Sequence, residues 1–122
     1  MIARIWDART NGPHDTQRYQ QVFDTEVLDH LSGVAGFRGA CLLARDHRQD
    51  HAHQDHGHQD QDQDHHGVTA IRTITLFESI AAVRRFAGDD YQRERVTPLA
   101  RATLLTSDPA IAHYEVLSLR GA

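Results

Sequence analysis

Val68-Thr-Ala-Ile-Arg-Thr-Ile-Thr-Leu-Phe77, followed directly by Glu78-Ser79 and then by Ile80-Ala-Ala-Val-Arg-Arg-Phe-Ala-Gly88, changes hydrophobic rhythm in mid-stretch. Its first part is rich in the β-branched residues that suit a pleated surface, and it reads as a strand. Its second part presents Ile80, Val83 and Phe86 at helical spacing, with Ser79 placed to cap the start and Gly88 to end the helix. A strand running straight into a helix is the unit from which the remaining elements are placed. Upstream, Phe37 to Ala44 alternates Phe37, Gly39, Cys41 and Leu43 against Arg38, Ala40, Leu42 and Ala44, a second strand. It pairs with Val68–Phe77 as a hairpin across a polar insert.

Working outward, Ile2 to Arg9 alternates Ile2, Arg4 and Trp6 against Ala3, Ile5 and Asp7 until Asn11-Gly12-Pro13 breaks it. From Thr16 to Leu31 the apolar positions Tyr19, Val22, Phe23, Val27, Leu28 and Leu31 recur at helical spacing, with Asp15 as a cap and Ser32-Gly33 as a stop. Asp90 to Arg101 holds at most a helical turn or two, limited by Pro98. Ile111 to Leu119 alternates His113, Glu115, Leu117 and Leu119 against Tyr114, Val116 and Ser118, a fourth strand.

The order strand, helix, strand, strand, helix, strand is the split βαβ arrangement, an α+β fold of the ferredoxin-like βαββαβ kind: a four-stranded antiparallel sheet with both helices on one face. The other face is then bare. Two such sheets packed about a two-fold axis is the simplest way to cover it, so a homodimer is expected. Residues 1–122 are expected to form one domain.

Outside residues 46–66 the chain carries twelve Arg against eleven Asp and Glu, with no basic stripe for a phosphate backbone to follow, so no nucleic acid partner is expected. The start has no cationic flank ahead of a long apolar run, and no stretch is long and apolar enough to span a bilayer. No signal peptide or membrane partner is expected, and the chain reads as cytoplasmic. Cys41 is the single cysteine, so no disulfide closes within the chain; it reads as a small buried hydrophobe.

The insert at 46–66 holds seven of the ten histidines, His47, His51, His53, His56, His58, His65 and His66, with six Asp and no large apolar residue. It cannot bury a core. Paired imidazoles beside carboxylates are donors that suit Ni, Cu or Zn, although the set is redundant and specifies no single tetrahedral site. A low-complexity expansion on a hairpin tip has the same composition, because exposed loops lengthen at small thermodynamic cost.

Ala3-Arg4-Ile5-Trp6, the stretch Leu76-Phe77-Glu78-Ser79 with Val83-Arg84-Arg85-Phe86-Ala87-Gly88, and His113-Tyr114-Glu115-Val116 together resemble the antibiotic biosynthesis monooxygenase family of dimeric α/β barrels. The resemblance spans nearly all of the chain except the insert. It implies a ferredoxin-like fold, a dimer whose sheets form a barrel, and a ligand pocket between sheet and helices. The family includes cofactor-independent oxygenases of aromatic polyketides and haem-degrading relatives. Many members carry Trp where this chain has Phe77, and the Asn, Trp and His constellation of the haem-degrading branch is not found, which demotes haem degradation.

A cofactor-free oxygenase needs a base to deprotonate an electron-rich phenol or anthrone and a donor for the resulting oxyanion. His113 is the candidate base, Trp6 a stacking platform with one indole donor, and Arg72 an anion-stabilising group in the same pocket. Arg4, Tyr91 and Tyr114 are candidate substrate contacts, although His113 and Tyr114 point to opposite faces of one strand. Each also has a plainer role: His113 as a structural or dimer-contact residue, Trp6 as core. The alternatives to a monooxygenase acting on a small aromatic metabolite are a metal-binding module built on the His-rich loop and a dimeric domain without catalysis.

Overall fold

The computed structural model describes residues 1–46 and 68–121, and the seven histidines of the insert lie outside them. The elements are β1 (Ile2–Asn11), α1 (Pro13–Val22), a π-helical turn (Phe23–Val27), α2 (Leu28–Ser32), β2 (Phe37–Asp46), β3 (Val68–Phe77), α3 (Ile80–Ala87), α4 (Pro98–Arg101), β4 (Leu104–Ser107) and β5 (Ala112–Glu115). The sheet is antiparallel with order β2-β3-β1-β4, and β5 also pairs with β1. This is the expected ferredoxin-like order, but the described residues form five strands rather than four.

The difference lies along one edge of β1. Ile2 to Ile5 pair with Glu115 to Ala112, while Ala8 to Thr10 pair with Ser107 to Leu104. Asp108-Pro109 separates the two short strands, and proline has no N–H with which to continue a ladder. Leu104–Ser107 is too short for its periodicity to announce a strand. The strand expected over Ile111–Leu119 ends at Glu115, and Leu117 and Leu119 are exposed beyond it.

The first helix begins at Pro13 rather than Thr16. Gly12, at φ +99°, occupies the cap position and Pro13 the first helical one, where a missing N–H costs nothing. Asp15 is therefore inside the first turn, paired with Arg18 at 2.9 Å, and is not the cap. At α3 the expected punctuation holds: Ser79 Oγ accepts from the Ala82 amide at 3.2 Å, and Gly88 follows the last turn. The helical turn expected before Arg101 is confined to α4, with the Thr97 hydroxyl accepting from the Ala100 amide.

Period-two alternation sends Arg4, Trp6, Ala8 and Thr10 of β1 and Thr69, Ile71, Thr73, Thr75 and Phe77 of β3 toward the helices, and all of them are buried. Trp6, Ala8 and Ile71 pack with Tyr19, Val22 and Phe23, while Phe77 packs with Leu31, Ala82 and Val83. The opposite face carries Ile5, Ile74 and Leu76, all half-buried, together with Leu43 at 47% and Tyr114 at 59% exposure. Cys41 stands opposite Ile74 on this face and is exposed, not buried as its residue type led one to expect.

The turn into β2 brings Gly36 against α3. At φ +91°, with Ala82 Cβ only 2.7 Å from where its own Cβ would stand, Gly36 is both conformationally and sterically required, whereas Gly88 at φ +83° has open space around it. Gly36→Ala is expected to lower the unfolding free energy by about 3 kcal/mol, and Gly88→Ala by about 1 kcal/mol for backbone strain alone, as read from urea midpoints.

Candidate active site

Between the sheet and the first helix lies a cavity of about 230 Å³. Tyr19, Phe23, Glu26, Val27 and His30 reach it from the first helix, Trp6 and Arg4 from β1, Thr73 and Thr75 from β3, Phe86 from α3, and Arg95, Val96 and Thr97 from the segment before α4. Part of that helical wall belongs to the π-helical turn, where the Leu28 amide reaches back five residues to the Phe23 carbonyl. Such single wide turns recur at functional sites because they re-aim side chains within an otherwise regular helix.

Trp6 and Tyr19 face each other as tilted rings 5.9 Å apart, with Phe23 6.4 Å beyond Tyr19. The indole N–H of Trp6 is already committed to Glu94 Oε1 at 3.3 Å and the Asp108 carbonyl at 3.2 Å. Trp6 is therefore core and cavity wall at once, and its N–H is not the ligand donor expected of it.

Arg4 is the central polar group. It is only 5% exposed, and its Nη1 donates to the Tyr91 carbonyl at 2.5 Å and lies 3.1 Å from His113 Nε2, while Nη2 reaches the Arg93 carbonyl at 3.5 Å. No carboxylate forms an ion pair with it among the described residues. Burial, and secondarily repulsion from Arg95, lowers its pKa to about 10, so it remains charged at neutral pH. Phe86 receives both cations, with the Arg4 and Arg95 guanidinium carbons 5.7 and 5.8 Å from its ring centroid.

His113 sits directly across the β1–β5 ladder from Arg4 and does not line the cavity. Arginine can only donate, so the imidazole lone pair at Nε2 accepts from Arg4 and is not free to take a proton from a ligand. Burial first, and the Arg4 charge second, lowers the His113 pKa. The group expected to act as base is thus a positioning residue for Arg4. Tyr91 likewise contributes its carbonyl to Arg4 and its ring to His113, edge-on at 5.2 Å, rather than its hydroxyl to a ligand.

Arg72 and Tyr114 are on the other side of the sheet. Arg72 binds Asp7 through two hydrogen bonds of 2.7 and 3.0 Å, and both residues share a shallow depression with Tyr114. Alternation along β3 separates Arg72 from Thr73, which does face the cavity, so Arg72 cannot act together with Trp6. Sequence pattern does not single out Tyr19, Glu26, His30, Thr73, Phe86 or Arg95 as cavity residues. Tyr19, Phe23, Val27 and His30 follow one helical stripe, a pattern that signals a buried face without saying whether that face is filled. His30 lies on Phe86 with ring centroids 5.3 Å apart and is the one imidazole lining the cavity among the described residues. No group of three or more metal-ligating side chains is assembled among the described residues, and no helix there is long and apolar enough to cross a membrane.

No protein-family model and no curated protein sequence matches the chain. Solved structures do. A crystal structure of an MhuD mutant with two manganese protoporphyrin IX molecules bound per active site superposes with a TM-score of 0.56 at 14% identity, over 100% of both chains. A monooxygenase from the gene ActVA-Orf6 of Streptomyces coelicolor, in complex with Nanaomycin D, superposes with a TM-score of 0.55 at 20% identity, over 99% of this chain and 88% of that one. The chain has their fold. At these identities the likeness concerns architecture, and the resemblance to the antibiotic biosynthesis monooxygenases is borne out at that level.

A tetrapyrrole does not fit the cavity as it is lined. Its volume of about 230 Å³ falls below the roughly 300–1,000 Å³ of sites for larger ligands, and the one imidazole that lines it among the described residues, His30, is at the exposed rim against Phe86. A ligand of roughly two or three fused rings is the better match.

The Arg4–His113 contact carries a pH signature. His113 has its pKa lowered from 6.5 in the folded protein, so below that value the unfolded chain binds the proton more readily and folding stability falls with pH. Melting temperature is expected to drop as pH goes from 7 toward 5, and His113→Gln, which keeps an acceptor for Arg4, is expected to flatten that part of the profile.

Proposed function

We propose that this chain is a cofactor-independent monooxygenase of small aromatic metabolites, working as a homodimer. The observation that carries the proposal is Arg4: a buried, charged guanidinium without a carboxylate partner among the described residues, at the wall of a cavity lined by Trp6, Tyr19, Phe23 and Phe86. Such a group stabilises an oxyanion far more strongly than the same group would in water, because it acts in a low dielectric and is already held in place.

In the proposed reaction, an anthrone or hydroquinol lies between the aromatic walls with its oxygen toward Arg4. Arg4 favours the ionised form, and the His30 imidazole accepts the proton that leaves. The electron-rich anion passes one electron to dioxygen, and the resulting radical and superoxide combine into a peroxide. Loss of water from that peroxide leaves a carbonyl, so one oxygen atom stays in the product and the other departs as water. His113 holds the Arg4 guanidinium in register and takes no proton from the substrate. The Ni, Cu or Zn reading of the His-rich insert rests on its composition alone.

The dimer is proposed from the open face. Ile5, Ile74, Leu76, Leu43 and Tyr114 flank the Arg72–Asp7 pair on this face, and a second copy of the same sheet offers a surface of the same composition to cover them.

Oxygen uptake with a model anthrone in metal-free buffer is the direct test. The wild-type chain is expected to consume oxygen and form the quinone; Arg4→Gln should lower the rate by about 10²–10³-fold. No uptake above the uncatalysed rate across a set of anthrones and quinols would reject the enzyme. Light scattering tests the assembly: the wild type is expected at twice the chain mass, and Ile74→Arg at the chain mass with an unchanged far-UV circular dichroism spectrum.

A further inference from the structure

Two cations share this cavity, and the proposed reaction uses only one of them. Arg95 is exposed at the mouth, 5.8 Å from the Phe86 ring centroid, and forms no ion pair among the described residues. The nearby acids are committed elsewhere. Glu94 accepts from Trp6 and Ser107 and is 3.3 Å from Arg101. Glu26, which lines the cavity, accepts from the Thr97 hydroxyl and pairs with neither arginine. Repulsion from Arg95 is felt at Arg4, and neither arginine is ion-paired among the described residues. A single oxyanion at Arg4 would leave the second cation, Arg95, without an ion-pair partner among the described residues.

The hydroxyls of the cavity wall point the same way, independently of the charges. Tyr19 is 4% exposed and Thr73 is 7% exposed, both line the cavity, and neither hydroxyl has a hydrogen-bond partner among the described residues. Buried hydroxyls are nearly always satisfied, so a pair of orphans on the wall of one cavity is what a site looks like when its polar ligand is taken away. Burial alone raises the Tyr19 pKa, which keeps this hydroxyl protonated and able to donate.

We propose that the ligand of this cavity is an aromatic hydroxy acid whose ring oxygens meet Arg4, Tyr19 and Thr73, and whose carboxylate is held by Arg95 at the mouth. The guanidinium fork matches the two carboxylate oxygens, and the ring between them lies along Phe86 and Trp6. The assignment deepens the proposed monooxygenase by naming its substrate class, and it concerns binding, so it can be tested without turnover.

The experiment is calorimetric titration of the full chain with three probes: 6-hydroxy-2-naphthoate, its carboxamide and 2-naphthol. The acid is expected to bind about tenfold more tightly than the amide or the naphthol. Arg95→Gln, an exposed position where folding is not at stake, should abolish that preference, lowering the affinity for the acid to that for the amide. Because Trp6 is the sole tryptophan, quenching of its emission by the amide reports whether the probe enters this cavity. Equal affinities for acid and amide would overturn the proposal, as would a preference that survives in Arg95→Gln or a failure of all three probes to bind at millimolar concentration. Oxygen uptake separates this from the enzymatic proposal. Selective binding of the acid with no uptake from any anthrone or quinol leaves the anion site standing and removes the oxygenase. Uptake from neutral substrates with no preference for the acid does the reverse.

Discussion

A charged guanidinium placed on the inner face of a sheet has to be paired, and the way Arg4 is paired organises this molecule. The one carboxylate of its strand, Asp7, is on the opposite face and pairs with Arg72. The charge is met instead by carbonyls of the segment after α3, at Tyr91 and Arg93, and by the neutral imidazole of His113 on β5. Those contacts tie together three parts of the chain that are distant in sequence. They also fix where the segment 91–97 runs, and that segment closes the cavity with Arg95, Val96 and Thr97. Removing the guanidinium would leave carbonyls unmet as well as removing a charge, so its structural and chemical roles cannot be separated by deletion alone.

The same alternation that sends Arg4 inward sends its neighbours outward, and the two arginines of the central strands show how much that matters. Arg4 and Arg72 lie on adjacent antiparallel strands, β1 and β3, and both are candidates by residue type. The register pairs Arg4 with Thr75 and Arg72 with Asp7. One residue's difference in phase puts Arg4 among aromatic rings and Arg72 in a solvent-exposed ion pair, where a carboxylate partner and screening leave it little chemical leverage.

The architecture is legible from the chain because its signals are local and mutually consistent. β3 and α3 follow directly on one another, and Ser79 and Gly88 mark the helix at both ends as their side-chain chemistry requires. The edge of the sheet is less legible, since β4 and β5 are four residues each and are interrupted by a proline. The site is legible only in part. Arg4 and Trp6 stand out because they sit on a strand of known phase. His113 stands out as well, but its role as partner of Arg4 does not, because the sequence reveals an imidazole and not the group that holds its lone pair. Arg95 lies in irregular chain, where no periodicity predicts what a side chain faces, and the orphaned hydroxyls of Tyr19 and Thr73 can be recognised only once the space around them is known.

Fold likeness at 14% and 20% identity leaves the chemistry open, and one neighbour holds manganese porphyrins while the other holds Nanaomycin D. The wide turn over Phe23–Val27 and the rings of His30 and Phe86 border a space of about 230 Å³ beside the sheet, and two arginines stand among its polar groups with Glu26 and His30 as acceptors. A cavity that is apolar on its walls and cationic at two points cannot bind a neutral hydrocarbon without leaving charges unmet, nor a fully hydrated anion without stripping its water. A ligand that satisfies both constraints presents a flat apolar body with an ionisable oxygen toward Arg4, and that coupling of binding to ionisation is what the proposed reaction with dioxygen requires.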